Sequence, residues 1–204
     1  MTDVWELVHR ERVALIRDLA SLDEIRWSEE SLTGSWTVRE VAAHLVDNAR
    51  TTPLRILVAM ARAGFNFDRQ NAQGVARELG DTAADTLEGL REVADLRSGP
   101  PAPLDSRVVE EVVHGEDIRR PLGITRAYPA EVVERSLRYQ ARTSVGLGGG
   151  RQRIDGVRLR ATDADIVLGD GPEVRGPALS LLLVTSGRTQ ALVDLSGPGL
   201  SALS

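Results

Sequence analysis

The stretch Ser35-Trp36-Thr37-Val38-Arg39-Glu40-Val41-Ala42-Ala43-His44-Leu45-Val46 decides how the rest of the chain reads. Thr37 followed three residues later by Glu40 is a capping box, in which hydroxyl and carboxylate each satisfy a backbone N–H at a helix start. Trp36 ahead of the cap and Val41 beyond it form a hydrophobic staple. A helix therefore starts after Thr37 and carries His44 in its second turn. Val38, Val41 and Leu45 mark its buried stripe. His44 falls three residues after Val41, at the margin of that stripe, so a titratable ring is directed toward the interior of a helical assembly.

Helical patterns extend on both sides. Residues 4–22 place Val4, Leu7, Val8, Leu15, Ile16 and Leu19 at helical spacing, and residues 21–34 break the pattern. The His44 helix is expected to continue, bent at Pro53, as far as Arg62, with Gly64 ending it. A third helical stretch, 67–96, is interrupted at Gly80-Asp81-Thr82, where Asp81 can cap a restart. Pro100, Pro101 and Pro103 make a loop. A fourth helix, 106–120, is stopped by Pro121, and a fifth opens at Pro129 and runs to about Val145. Antiparallel helices joined by modest loops predict a four-helix-type bundle.

The composition changes after Gly146-Leu147-Gly148-Gly149-Gly150, which reads as a flexible joint. Val157, Leu159 and Ala161 alternate with polar residues, and so do Ile166 and Leu168, as in a hairpin or two short strands. Gly176-Pro177 then opens a helix through Leu183. The expected class is α+β: a helical bundle over residues 1–150 and a small α/β domain over 151–204. A unit of that size buries too little on its own and is expected to dock on the bundle. The junction of two units is a favoured place for a ligand cleft.

Composition shortens the list of chemistries. The 204 residues include no Cys, and all 25 of the Lys+Arg residues are Arg. No thiolate nucleophile, Cys-ligated zinc, iron–sulfur cluster, Schiff-base lysine or P-loop lysine can come from this chain. His9, His44 and His114 are the only histidines, so a metal or general-base site must draw on them and on carboxylates. A net charge of -5 argues against a nucleic-acid partner. The charged first residues do not form a signal peptide, and the apolar runs 56–61 and 179–184 are far too short to span a membrane. A cytoplasmic location is the expectation. No G-x-G-x-x-G dinucleotide fingerprint and no G-x-S-x-G nucleophile elbow is present.

On the fourth helix Glu110, His114 and Asp117 follow at intervals of four and three, on one stripe beside Val109, Val112 and Val113. His44, Glu110 and His114 can converge between helices as a His, Glu, His ligand set for a divalent metal such as zinc, leaving one position open for water or substrate. Glu111, three residues before His114, competes with Glu110 for the carboxylate role. Asp117, or Asp47 near His44, can hold a ligand imidazole in the required tautomer. His9, between Val8 and Arg10, reads as a solvated helix residue. Arg119 and Arg120 complement the helix dipole. Arg175 and Arg188 can bind an anionic ligand if the tail closes over the bundle.

The segments 35–46 and 112–123, the latter reading Val112-Val113-His114-Gly115-Glu116-Asp117-Ile118-Arg119-Arg120-Pro121-Leu122-Gly123, resemble the two signature blocks of the mycothiol-dependent maleylpyruvate isomerase family. That family belongs to the DinB-like helical-bundle metalloproteins. Residues 155–163 and 171–177 resemble its small C-terminal domain. The resemblance implies a metal, usually zinc, on His44, Glu110 and His114. It also implies a thiol cofactor, mycothiol, that attacks a small electrophile, and an Arg of the small domain near the active site, best matched by Arg188. A lysine-free, Arg- and Ala-rich chain fits a GC-rich actinobacterial genome, where mycothiol is made. Three functions follow as expectations: a metal-dependent enzyme of thiol transfer or thiol-assisted isomerisation, a non-catalytic metal-containing binding or regulatory module, and a metal-dependent hydrolase.

Overall fold

Thr37 caps its helix as its sequence requires. Its side chain accepts from the Glu40 N–H while the Glu40 carboxylate accepts from the Thr37 N–H, and helix α3 runs Val38–Arg50. In the computed structural model, which describes residues 2–203, this helix is the centre of the first unit. Before it come α1 (Val4–Leu19), capped by Asp3, and the single turn α2 (Glu24–Trp27), capped by Asp23. After it come α4 (Pro53–Arg62), α5 (Phe67–Glu78), α6 (Ala83–Val93) and α7 (Asp105–Arg119). Helix α3 packs on α5, α6 and α7, and α1 packs on α6 and α7. Leu15, Leu19, Trp27, Val41, Leu45, Leu87, Leu90 and Ile118 meet in the core between them.

Two details depart from the reading of the sequence. Pro53 does not bend one long helix but starts another, because Thr51 and Thr52 are extended and Thr52 caps the Arg55 N–H. A residue before proline is driven from the helical region, and proline itself suits the first helical turn. The restart near residue 80 is capped by Thr82 with Asp85 as its reciprocal partner, not by Asp81.

The chain divides into two units at residues 126 and 127, earlier than the glycine run. The helix expected to open at Pro129, α8 (Ala130–Arg142), packs on α9 (Ala178–Thr185) and so belongs to the second unit. The glycines lie inside that unit. A Cβ on Gly150 would stand 2.0 Å from the Thr185 carbonyl oxygen, and one on Gly149 would stand 2.1 Å from that of Thr143. Gly149 and Gly150 thus serve close backbone packing, not a joint.

The sheet of this unit has the order β2-β1-β3. Strands β1 (Arg158–Ala161) and β2 (Val167–Leu168) pair antiparallel, with Leu159 opposite Leu168. Strand β3 (Glu173–Gly176) pairs parallel to β1, with Leu159 beside Val174. Leu159, Ala161 and Val174 are buried while Arg158 and Arg160 are exposed, and α9 packs on both β1 and β3. The architecture is thus α+β, a helical bundle followed by a small α/β part.

Candidate metal centre

The facing turns of α3 and α7 bring three side chains to one point. His44 enters from α3, where it is 8% exposed, and Glu110 and His114 enter from α7 one turn apart. His114 Nε2 lies 3.3 Å from Glu110 Oε2, and His44 Nε2 lies 3.7 Å from the same oxygen. The two imidazoles meet edge to face with centroids 4.8 Å apart, and Trp36 packs against the His44 ring at 5.1 Å. One ligand atom from each of the three residues lies within 4.8 Å of the others. Four donors around a zinc-sized ion stand about 3.4 Å from one another when each bond is about 2.1 Å. Both separations on Glu110 are already close to that value. Two imidazole nitrogens and a carboxylate oxygen are also a donor set that suits such an ion, so the residues fit the metal expected of them.

Asp117 holds His114 in position. Its carboxylate lies 2.9 Å from His114 Nδ1 and is wholly buried, so Nδ1 carries the proton shared with it and Nε2 is left for the centre. Burial acts against charge on His114, but the hydrogen bonds and negative charges of Asp117 and Glu110 outweigh it and push the group up to about 9. Burial likewise works to raise the Glu110 carboxyl. Hydrogen bonds from His114 and His44, with the His114 and Arg107 charges, hold it well below the usual carboxylate range.

The competing carboxylate is turned elsewhere. Glu111 accepts from Arg12 Nε at 2.8 Å in a buried ion pair, and Arg12 also donates to the Val93 and Leu96 carbonyls. Burial, the largest influence, raises the Glu111 carboxyl despite Arg12. Asp47 is not a partner of His44: its carboxylate pairs with Arg77 of α5, and among the described residues the His44 Nδ1 has no hydrogen-bond partner. Asp47 instead lies against Gly74 of α5. Arg119 is the basic residue of the last turn of α7 and is fully buried against Asp18 at 2.7 Å. His9 stands apart beside Trp5 and is partly buried, with a shielded Nε2. In the second unit Arg175 donates to Ser196 Oγ, and Arg188 follows α9 and donates to the Ser186 carbonyl at 2.7 Å.

Two further residues touch this arrangement. Asn48 Nδ2 donates to Glu110 Oε2 at 2.8 Å, and Arg107 Nη1 donates to Asn48 Oδ1 at 2.7 Å. Helical spacing alone could have found both. Asn48 is four residues after His44, and Arg107 is three before Glu110, on the stripe that continues to His114 and Asp117.

Residues 8–119 match the family model described as the mycothiol maleylpyruvate isomerase N-terminal domain. The chain belongs to this family. Its match takes in α3 and α7 and therefore every residue of the convergent set. Two crystal structures of the mycothiol-dependent maleylpyruvate isomerase, one of them a histidine-to-alanine mutant, share its fold. Each gives a TM-score of 0.68 at 16% identity over 96% of this chain and 91% of that one. The likeness therefore extends beyond the family domain into the second unit. A search of curated proteins gives no match. Among the described residues no helix is long and apolar enough to cross a membrane.

Proposed function

We propose that this member of the mycothiol maleylpyruvate isomerase family is a divalent-metal enzyme that uses mycothiol to transfer to, or isomerise, a small electrophile. The carrying observation is the convergence of His44, Glu110 and His114 donor atoms within 4.8 Å in a chain without Cys or Lys. The metal, for which zinc is our assignment, would lower the pKa of a bound thiol so that it reacts as thiolate. Everything else is the work of the chain. Asp117 keeps a proton on His114 Nδ1, so the Nε2 lone pair can face the centre once the proton on Nε2 leaves. Glu110 contributes the negative charge, and its low pKa keeps that charge in place across the neutral range. Trp36 closes one face of the His44 ring. With three protein donors, a fourth position remains for the incoming sulfur.

We assign to Arg188 the part that the family resemblance implies for an Arg of the small domain, to orient the anionic end of the substrate or thiol. The deciding experiment incubates purified protein with mycothiol and a panel of small electrophiles, with and without chelator. Thiol-dependent turnover abolished by chelation and restored by zinc supports the reading. Turnover of an ester or amide without thiol would assign hydrolysis instead, and metal binding with no turnover would leave a binding module.

A further inference from the structure

Beneath the three convergent side chains runs a hydrogen-bonded line that ends in a proline-rich loop. Arg107 is buried, and its Nε and Nη2 donate to Ser106 Oγ while Nη1 donates to Asn48 Oδ1. A guanidinium only donates, so the oxygen of the Asn48 amide must face Arg107 and its nitrogen must face Glu110. Asn48 Nδ2 then donates to Glu110 Oε2, the oxygen that faces both imidazoles. The arginine thus removes the amide's freedom to flip, and the amide removes the carboxylate's freedom to rotate. Gly99 closes the line from below: a Cβ there would lie 2.8 Å from Arg107 Cδ and Nη1.

We infer that Asn48 and Arg107 are positioning residues that aim Glu110 Oε2 between His44 and His114, and that Gly99 is kept free of a side chain so that Arg107 can do so. The inference rests on the metal reading given above and adds to it how the carboxylate is oriented. Hydrogen bonds behind a metal ligand are worth about 10- to 100-fold in metal affinity. The charge alone gives the opposite expectation for Asn48→Asp, because a new carboxylate near a cation attracts it.

Cobalt(II) is the probe, since its visible bands report the number and arrangement of ligands as well as occupancy. The wild-type protein, Asn48→Asp, Arg107→Lys and Gly99→Ala are titrated with cobalt(II) and melted without it. Gly99 lies outside the left-handed region, so alanine there meets Arg107 first and keeps the test open if a change at Asn48 prevents folding. The expected result is a fall of about 10- to 100-fold in affinity with altered bands for all folded variants. Wild-type affinity and bands in the folded variants, or tighter binding by Asn48→Asp, overturn the inference and leave the metal site standing. Failure of the wild-type chain itself to bind cobalt(II) overturns the metal reading and this inference with it.

Discussion

Metal uptake by this chain should expel a proton, and the structure says how many and over what pH range. Burial opposes charge on His114, but Asp117 at 2.9 Å and Glu110 at 3.3 Å prevail and push its pKa to about 9. At pH 7 the metal-free ring is therefore protonated in about 99 molecules of 100, two units below its pKa. Nδ1 is committed to Asp117, so the ion must displace the proton on the Nε2 side. That competition costs about 3 kcal/mol at pH 7 and about 4 kcal/mol at pH 6. Apparent affinity should rise about tenfold per pH unit from 6 to 8 and level off above 9. The metal-free protein should show the opposite trend. A folded pKa above the unfolded value of about 6.5 gives stability that is complete below pH 6.5 and is lost as pH rises through about 9. Isothermal titration calorimetry with zinc in buffers of different ionisation enthalpy counts the protons, and about one per ion at pH 7 is expected. Zinc affinity that does not change between pH 6 and 8, with no proton released, would mean that His114 is already neutral in the metal-free protein.

Replacing Asp117 by Asn removes the charge behind His114 Nδ1 and should lower zinc affinity by about 10- to 100-fold, measured by competition with a chromogenic chelator. The same change should also reduce the number of protons released. Arg12→Ala leaves Glu111 buried without its partner and should destabilise the fold by about 3 to 5 kcal/mol. Urea unfolding gives the value, and a loss under about 1 kcal/mol would mean that water reaches the carboxylate. In the second unit Gly150→Ala drives a methyl into the Thr185 carbonyl and should cost about 1 to 3 kcal/mol, read from the thermal midpoint. No change there would restore the view of the glycine run as a free joint.

The parts of the structure encoded by local chemistry were readable, and those that depend on distant partners were not. The capping box at Thr37 and Glu40 and the i, i+4 spacing of Glu110 and His114 are properties of single helices, so the start of α3 and the α7 stripe follow directly from sequence. The choice between Glu110 and Glu111 does not. It depends on Arg12, 99 residues away in sequence from Glu111, which claims one carboxylate and leaves the other. Asp47 misleads for the same reason, since only the fold brings Arg77 to it. Glycines are ambiguous in sequence because a flexible hinge and a tight backbone contact both exclude a side chain, and only Thr143 and Thr185 tell them apart. Strand β3 pairs parallel to β1, and a parallel partner leaves no turn signature between the paired strands.

Everything proposed for this site depends on His44, Glu110 and His114 holding one divalent ion. The most direct test is the metal content of the purified wild-type, His44→Ala and His114→Ala proteins after zinc loading and desalting, measured by inductively coupled plasma mass spectrometry beside circular dichroism. About one zinc per folded wild-type chain is expected, with loss of nearly all of it from both folded variants. Zinc retained at the wild-type level by either variant would contradict it.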